Sequence, residues 1–142
     1  MKFSDIKEEE WEGLRPYLDT CLLPVTGLSG AEAPWRTTGA LEQLADVLEL
    51  LELPYKGRVV TYPALHYSRT AAAEDQADEV CRELKDGGFA YVVIVTSDQA
   101  AASWQVEHAD LLIYVDPAQL AGDRTGAKAE AANRIQQLWR GR

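Results

Sequence analysis

The stretch YVVIVTSDQAAASW, residues 91–104, is a run of β-branched and aromatic residues that stops at Thr96-Ser97-Asp98 and passes into an alanine-rich segment. Two hydroxyls and a carboxylate at a strand end can hold a ligand or move a proton. The same residues at a helix start accept backbone N–H bonds, a capping role worth about 1 kcal/mol against alanine. The cap alone explains these residue types and is the simpler expectation. A second chemical stretch is TGLSGAEAPWRTTG, Thr26 to Gly39. It carries Gly27, Gly30 and Gly39, hydroxyls at Thr26, Ser29, Thr37 and Thr38, a stacking-capable Trp35, and Arg36. Glycines and hydroxyls ahead of a helix can cradle a phosphate. Neither a G-x-x-x-x-G-K-[ST] loop nor a G-x-G-x-x-G fingerprint is present, so no nucleotide or flavin specificity follows and no cofactor is named. The bland alternative is an Ω-like surface loop with Trp35 packed over the sheet edge.

His66, in YPALHYSR, is the other candidate for acid–base work, with Asp98 as its partner. Arg36 would then position an anion, and Ser29 or Ser97 would donate hydrogen bonds. His108 sits just before the last strand-like run, on the opposite edge from such a site. No G-x-S-x-G elbow marks Ser97 as a nucleophile. Cys21 and Cys81 fall in apolar patterns and read as core residues. With His66 and His108 they show no ligand spacing, so no metal site is expected.

The elements that must position these residues alternate between helix and strand. SDIKEEEWEGLRPYL, with Ser4 as N-cap and Ile6, Trp11, Leu14 and Leu18 as a rough apolar face, predicts a first helix. TCLLPV predicts the first strand, and TGALEQLADVLELLEL a helix with Leu41, Leu44, Ala45, Leu48 and Leu51 at helical spacing. KGRVVTYPAL predicts the second strand, ended by Pro63. TAAAEDQADEVCRELKDGG is the clearest helix, with Ala73, Ala77, Val80, Cys81 and Leu84 on one face and Gly87-Gly88 as its stop. AYVVIVT, a short helix from about Gln99, and ADLLIYV follow; Trp104 reads as a lid on the sheet. Asp116-Pro117 opens a last helix with Ala127, Ala131, Ile135 and Leu138 on one face. Trp139 extends that stripe and leaves both a core contact and a homodimer contact open.

The third and fourth strands are almost continuously apolar, the mark of strands covered on both faces. The expectation is a single α/β domain over residues 1–142: a three-layer sandwich of a mostly parallel four-stranded sheet with helices on both faces, in the flavodoxin-like order 2-1-3-4. In that order ligands bind where winding reverses, at the carboxyl ends of strands 1 and 3. That crevice would be lined by Thr26, Gly27, Ser29 and Gly30 and by Thr96, Ser97 and Asp98. His66 and Asp98 would be separated by strand 1, about 9–10 Å at ordinary strand spacing, so only loop reach could join them.

The net charge of −9 is uneven. Residues 124–142 carry Arg124, Lys128, Arg134, Arg140 and Arg142 against Glu130 alone, so the acidic excess lies in residues 1–123. An acidic body disfavours phosphate-backbone binding and argues against a nucleic-acid partner. The basic end complements a helix C-terminus and can lie against that body. No apolar run approaches the roughly 20 residues of a membrane span, and the N-terminus lacks a signal-peptide core, so a cytoplasmic protein is expected.

Together YLDTCLLPV, YKGRVVTYPALHY and GGFAYVVIVTSD, with Trp104, resemble the YpiF-like family of Bacillota (Firmicutes), a domain of unknown function. The resemblance runs from Tyr17 through Trp104 and hints at a respiratory setting. It implies no activity, cofactor or catalytic residue to transfer. The function expected from the residues is a non-catalytic binding or protein-interaction domain, with a small anionic ligand or a protein as partner. The alternative is an enzyme acting on a small anionic or phosphorylated metabolite in the crevice.

Overall fold

The computed structural model describes residues 1–66 and 72–141. The expected start of the third helix at Thr70-Ala71 lies outside the described residues, as does Arg142. Four parallel strands form one sheet: β1 (Thr20–Val25), β2 (Val59–Thr61), β3 (Tyr91–Thr96) and β4 (Leu111–Tyr114), in the order β2-β1-β3-β4. β1 is in register with β3 from Thr20↔Tyr91 to Val25↔Thr96, so Thr26 and Ser97 leave the sheet side by side.

The period of two along each strand divides the core between the two faces. On one face Leu22, Val59, Val93, Val95 and Ile113 pack against α2 (Pro34–Glu52) and α5 (Arg124–Trp139). On the other, Cys21, Leu23, Val25, Val92 and Ile94 pack against Ala73, Ala77, Cys81 and Leu84 of α3 (Ala73–Asp86). Trp104 packs partly buried on this second cluster. The helix after β1 covers one face and the helix after β2 the other. Crossovers of one hand require that when the direction of sheet growth reverses at β1. Both thiols, Cys21 and Cys81, are buried core residues, and burial pushes them up to about 12, which favours the neutral thiol.

Three helix boundaries differ from the sequence expectation. The first predicted helix is two pieces, a 3-10 turn at Phe3–Asp5 and α1 (Glu8–Leu14). Its N-terminus is drawn to the sheet edge instead: Met1 O accepts the Thr61 N–H, and Lys2 bridges to Thr61. Asp5 then caps Lys2 N–H at 2.9 Å, and Ser4 is no cap. α2 begins at Pro34 rather than near Thr38, because proline at the first helical position has no N–H to lose and its φ is already helical. Trp35, Arg36, Thr37, Thr38 and Gly39 are therefore helical. The last predicted helix is α4 (Pro117–Gly122) and α5, broken at Asp123, whose non-helical backbone (φ −150°, ψ 72°) lets its carboxylate cap Gly126 N–H at 2.9 Å.

The basic C-terminal segment lies on the body as α5. Arg124 approaches Glu49 of α2 at 3.6 Å. Trp139 is held within the chain: its indole N–H donates to Thr20 Oγ1 at 2.8 Å, Tyr55 meets the ring edge-on, and the Arg58 guanidinium lies 4.1 Å from its centroid. Among the described residues no helix is long and apolar enough to cross a membrane.

Candidate functional site

Residues past the carboxyl ends of β1 and β2 build an open depression of about 580 Å³. The loop after β1 supplies Leu28, Ser29, Gly30 and Glu32, α2 supplies Thr37 and Leu41, the segment after β2 supplies His66, and α3 supplies Gln76. His66 reaches it because the chain beyond Pro63 returns to β1. Leu65 N–H donates to Pro24 O at 2.8 Å, and Thr26 N–H donates to Leu65 O at 3.1 Å. This bridge sets His66 beside Thr26 at the end of β1, on the near side of the strand that separates it from Asp98. Its Nδ1 lies 2.7 Å from Thr26 Oγ1, which also accepts Leu28 N–H at 3.2 Å. With Nδ1 engaged, Nε2 is the nitrogen His66 can offer a ligand.

Gly27 and Gly30 adopt φ of 75° and 93°, a left-handed backbone that glycine reaches without the Cβ penalty. The turn directs the Ser29 and Gly30 N–H groups inward, as expected of an anion cradle. The anion they hold is the chain's own. Glu32 accepts from Ser29 N–H at 3.1 and 3.2 Å, from Ser29 Oγ at 3.1 Å and from Gly30 N–H at 3.1 Å. The Ser29 N–H first, with the other donors of this turn, holds the Glu32 carboxyl below the usual glutamate range. Residue type does not mark this role, since Glu32 is a single acid among small residues; the local spacing Ser29-x-x-Glu32 is the signal that could have pointed to it.

The remaining candidates lie elsewhere. Thr96 is fully buried, donates from Oγ1 to Val25 O at 2.9 Å and accepts Asp98 N–H at 3.0 Å. It ties the end of β3 to the end of β1. Asp98 caps the 3-10 turn Gln99–Ala101 through Ala100 N–H at 3.4 Å. Ser97 is half-buried between them. None of these three lines the depression that His66 lines, nor does Arg36, which is exposed on the first turn of α2. Trp35 does not pack over the sheet edge. It is 75% exposed, because the early start of α2 turns it outward. His108 lies ahead of β4, as the sequence placed it, and there it meets Asp78 of α3.

A family model described as "Protein of unknown function (DUF2487)" matches residues 9–139. The chain belongs to this family. No curated protein and no solved structure matches it. The DUF2487 match spans all four strands, the Glu32 turn, His66 and the Trp139 latch, and leaves out only the N-terminal turn and the last residues.

Proposed function

We propose that this DUF2487 chain is a non-catalytic protein-interaction domain, and that its depression and the first turns of α2 receive a partner segment bearing a basic side chain. The observation that carries this reading is Glu32: its ionised carboxylate already satisfies the Ser29–Gly30 donors, so the loop needs no external anion to fold. Among the described residues no lysine or arginine lines the depression. The electrostatics there favour a cation over a phosphate. Leu28 and Leu41 supply apolar wall, and exposed Trp35 stands two residues before Thr37 of the same rim, a residue type enriched at binding hot spots.

The second reading is an enzyme acting on a small anionic metabolite. It draws on the Thr26–His66 bond, which fixes an imidazole at the carboxyl edge of the sheet. Among the described residues the depression offers it no cation, and the one carboxylate there, Glu32, is committed to Ser29 and Gly30.

A thermal-shift screen against ADP, FMN, glucose 6-phosphate and inorganic phosphate, with anisotropy of labelled leucine–lysine and leucine–glutamate peptides, separates the two. The expected result is no shift with the anions and binding of the lysine peptide alone, weakened by Trp35→Ala and by Glu32→Gln. Saturation by a phosphorylated compound, about 5 °C at 100 times its dissociation constant and abolished by Arg36→Ala, would overturn the proposal.

A further inference from the structure

On the α3 side of the sheet, the connection from β3 to β4 is tied down by polar side chains of one helix face. Glu74 accepts Gln105 N–H at 2.7 Å, Asp78 Oδ1 accepts His108 N–H at 2.7 Å, and Lys85 meets Asp110 at 2.8 Å. At the middle of this row, Asp78 Oδ1 also lies 2.9 Å from His108 Nδ1. The neighbouring Glu107 brings a carboxylate oxygen into the same cluster, so that one ligand atom from each of Asp78, Glu107 and His108 lies within 4.8 Å of the others. We propose that these three side chains bind one first-row divalent transition ion, with Zn²⁺ as the reference ion, joining α3 to the loop ahead of β4.

The geometry supports two of the three bonds as it stands. An ion bound at about 2.1 Å by both Nδ1 and Oδ1 subtends roughly a right angle when those atoms are 2.9 Å apart, an angle open to these metals. The ion takes the position of the proton between the two groups, and any proton on Nδ1 leaves to solvent. Glu107 is exposed and closes the remaining distance by side-chain rotation. Three protein ligands leave a position for water. One imidazole with two carboxylates selects against Mg²⁺ and Ca²⁺, which prefer oxygen throughout. Asp78 and His108 belong to different elements and meet only in the fold, so no sequence spacing shows the site. It is independent of the proposed interaction face, which is built by the β1–α2 loop and His66.

The test is isothermal titration of the full chain, stripped with chelator, with ZnCl₂ and with MgCl₂. One equivalent of Zn²⁺ binds, Mg²⁺ does not, and Zn²⁺ raises Tm. Glu107→Ala keeps the Asp78–His108 pair and hence the loop, and it weakens Zn²⁺ by about tenfold or more, a loss that even outer-shell partners can produce. His108→Gln abolishes binding. NMR of the His108 ring in the parent protein shows Zn²⁺-dependent shifts. Absence of Zn²⁺ heat, or an affinity unchanged in Glu107→Ala, or ring shifts at His66 rather than His108, would overturn the proposal.

Discussion

At the scale of single residues, Glu32 decides how the loop after β1 behaves. Its carboxyl titrates below 4.5, the ordinary glutamate value, in the folded chain. A depressed folded value means that its contribution to loop order is complete above the unfolded value and is lost as pH falls through the folded one. The amide resonances of Ser29 and Gly30 should therefore titrate with a midpoint below 4.5, and Glu32→Gln should remove that titration. A midpoint at or above 4.5 would contradict the described bonds. Thr96 makes a different kind of contribution. Thr96→Val keeps the shape but leaves Val25 O and Asp98 N–H without its hydroxyl, a loss of about 1–3 kcal/mol measurable by urea unfolding. Asp116→Ala removes the cap on Ala118 N–H and should cost about 1 kcal/mol.

At the scale of elements, the last helix is held at both ends by contacts the sequence distributes widely. Asp123 starts it, and Trp139 closes it against Thr20, Tyr55 and Arg58. Because Trp139 is only partly buried, Trp139→Ala should cost about 2 kcal/mol, below the range for a fully buried tryptophan. Native-state hydrogen exchange should show the loss first in the last turns of α5. Exchange that speeds up uniformly over the chain would mean the latch is part of the global core. α3 has the complementary role of splinting the β3–β4 connection, which contains little regular structure of its own beyond the 3-10 turn at Gln99–Ala101.

At the scale of the whole molecule, β1 and β3 at the centre of the sheet serve two cores at once. Leu22 is fully buried on the α2–α5 side and Leu23 on the α3 side. Leu22→Ala should destabilise by about 3 kcal/mol and lower Tm by roughly 10 °C in scanning calorimetry. The acidic charge of −9 predicts no retention of duplex DNA in a gel shift at physiological salt. Retention there would show that the basic residues of α5 act as a unit despite the acidic body.

Much of this architecture was legible in the chain. Continuous apolar runs at Tyr91–Thr96 and in Leu111–Tyr114 signalled strands covered on both sides, and the helical spacing of Ala73, Ala77, Cys81 and Leu84 signalled the layer on one of them. Local rules of this kind act within a few residues, so sequence alone determines them. Helix starts were less legible, because Pro34 outweighs the glycine and threonines after it, and because a sheet edge at Thr61 competes for Met1 and Lys2. The candidate site shows the same division. Thr26, Ser29, Gly30 and His66 were visible as residue types, yet what each one touches was decided only in three dimensions. The return of Leu65 to β1 places His66 on Thr26, and the left-handed turn at Gly30 gives the cradle to Glu32 instead of leaving it to a ligand. Long-range hydrogen bonds join groups that sequence spacing cannot relate, and those bonds set the chemistry of this surface.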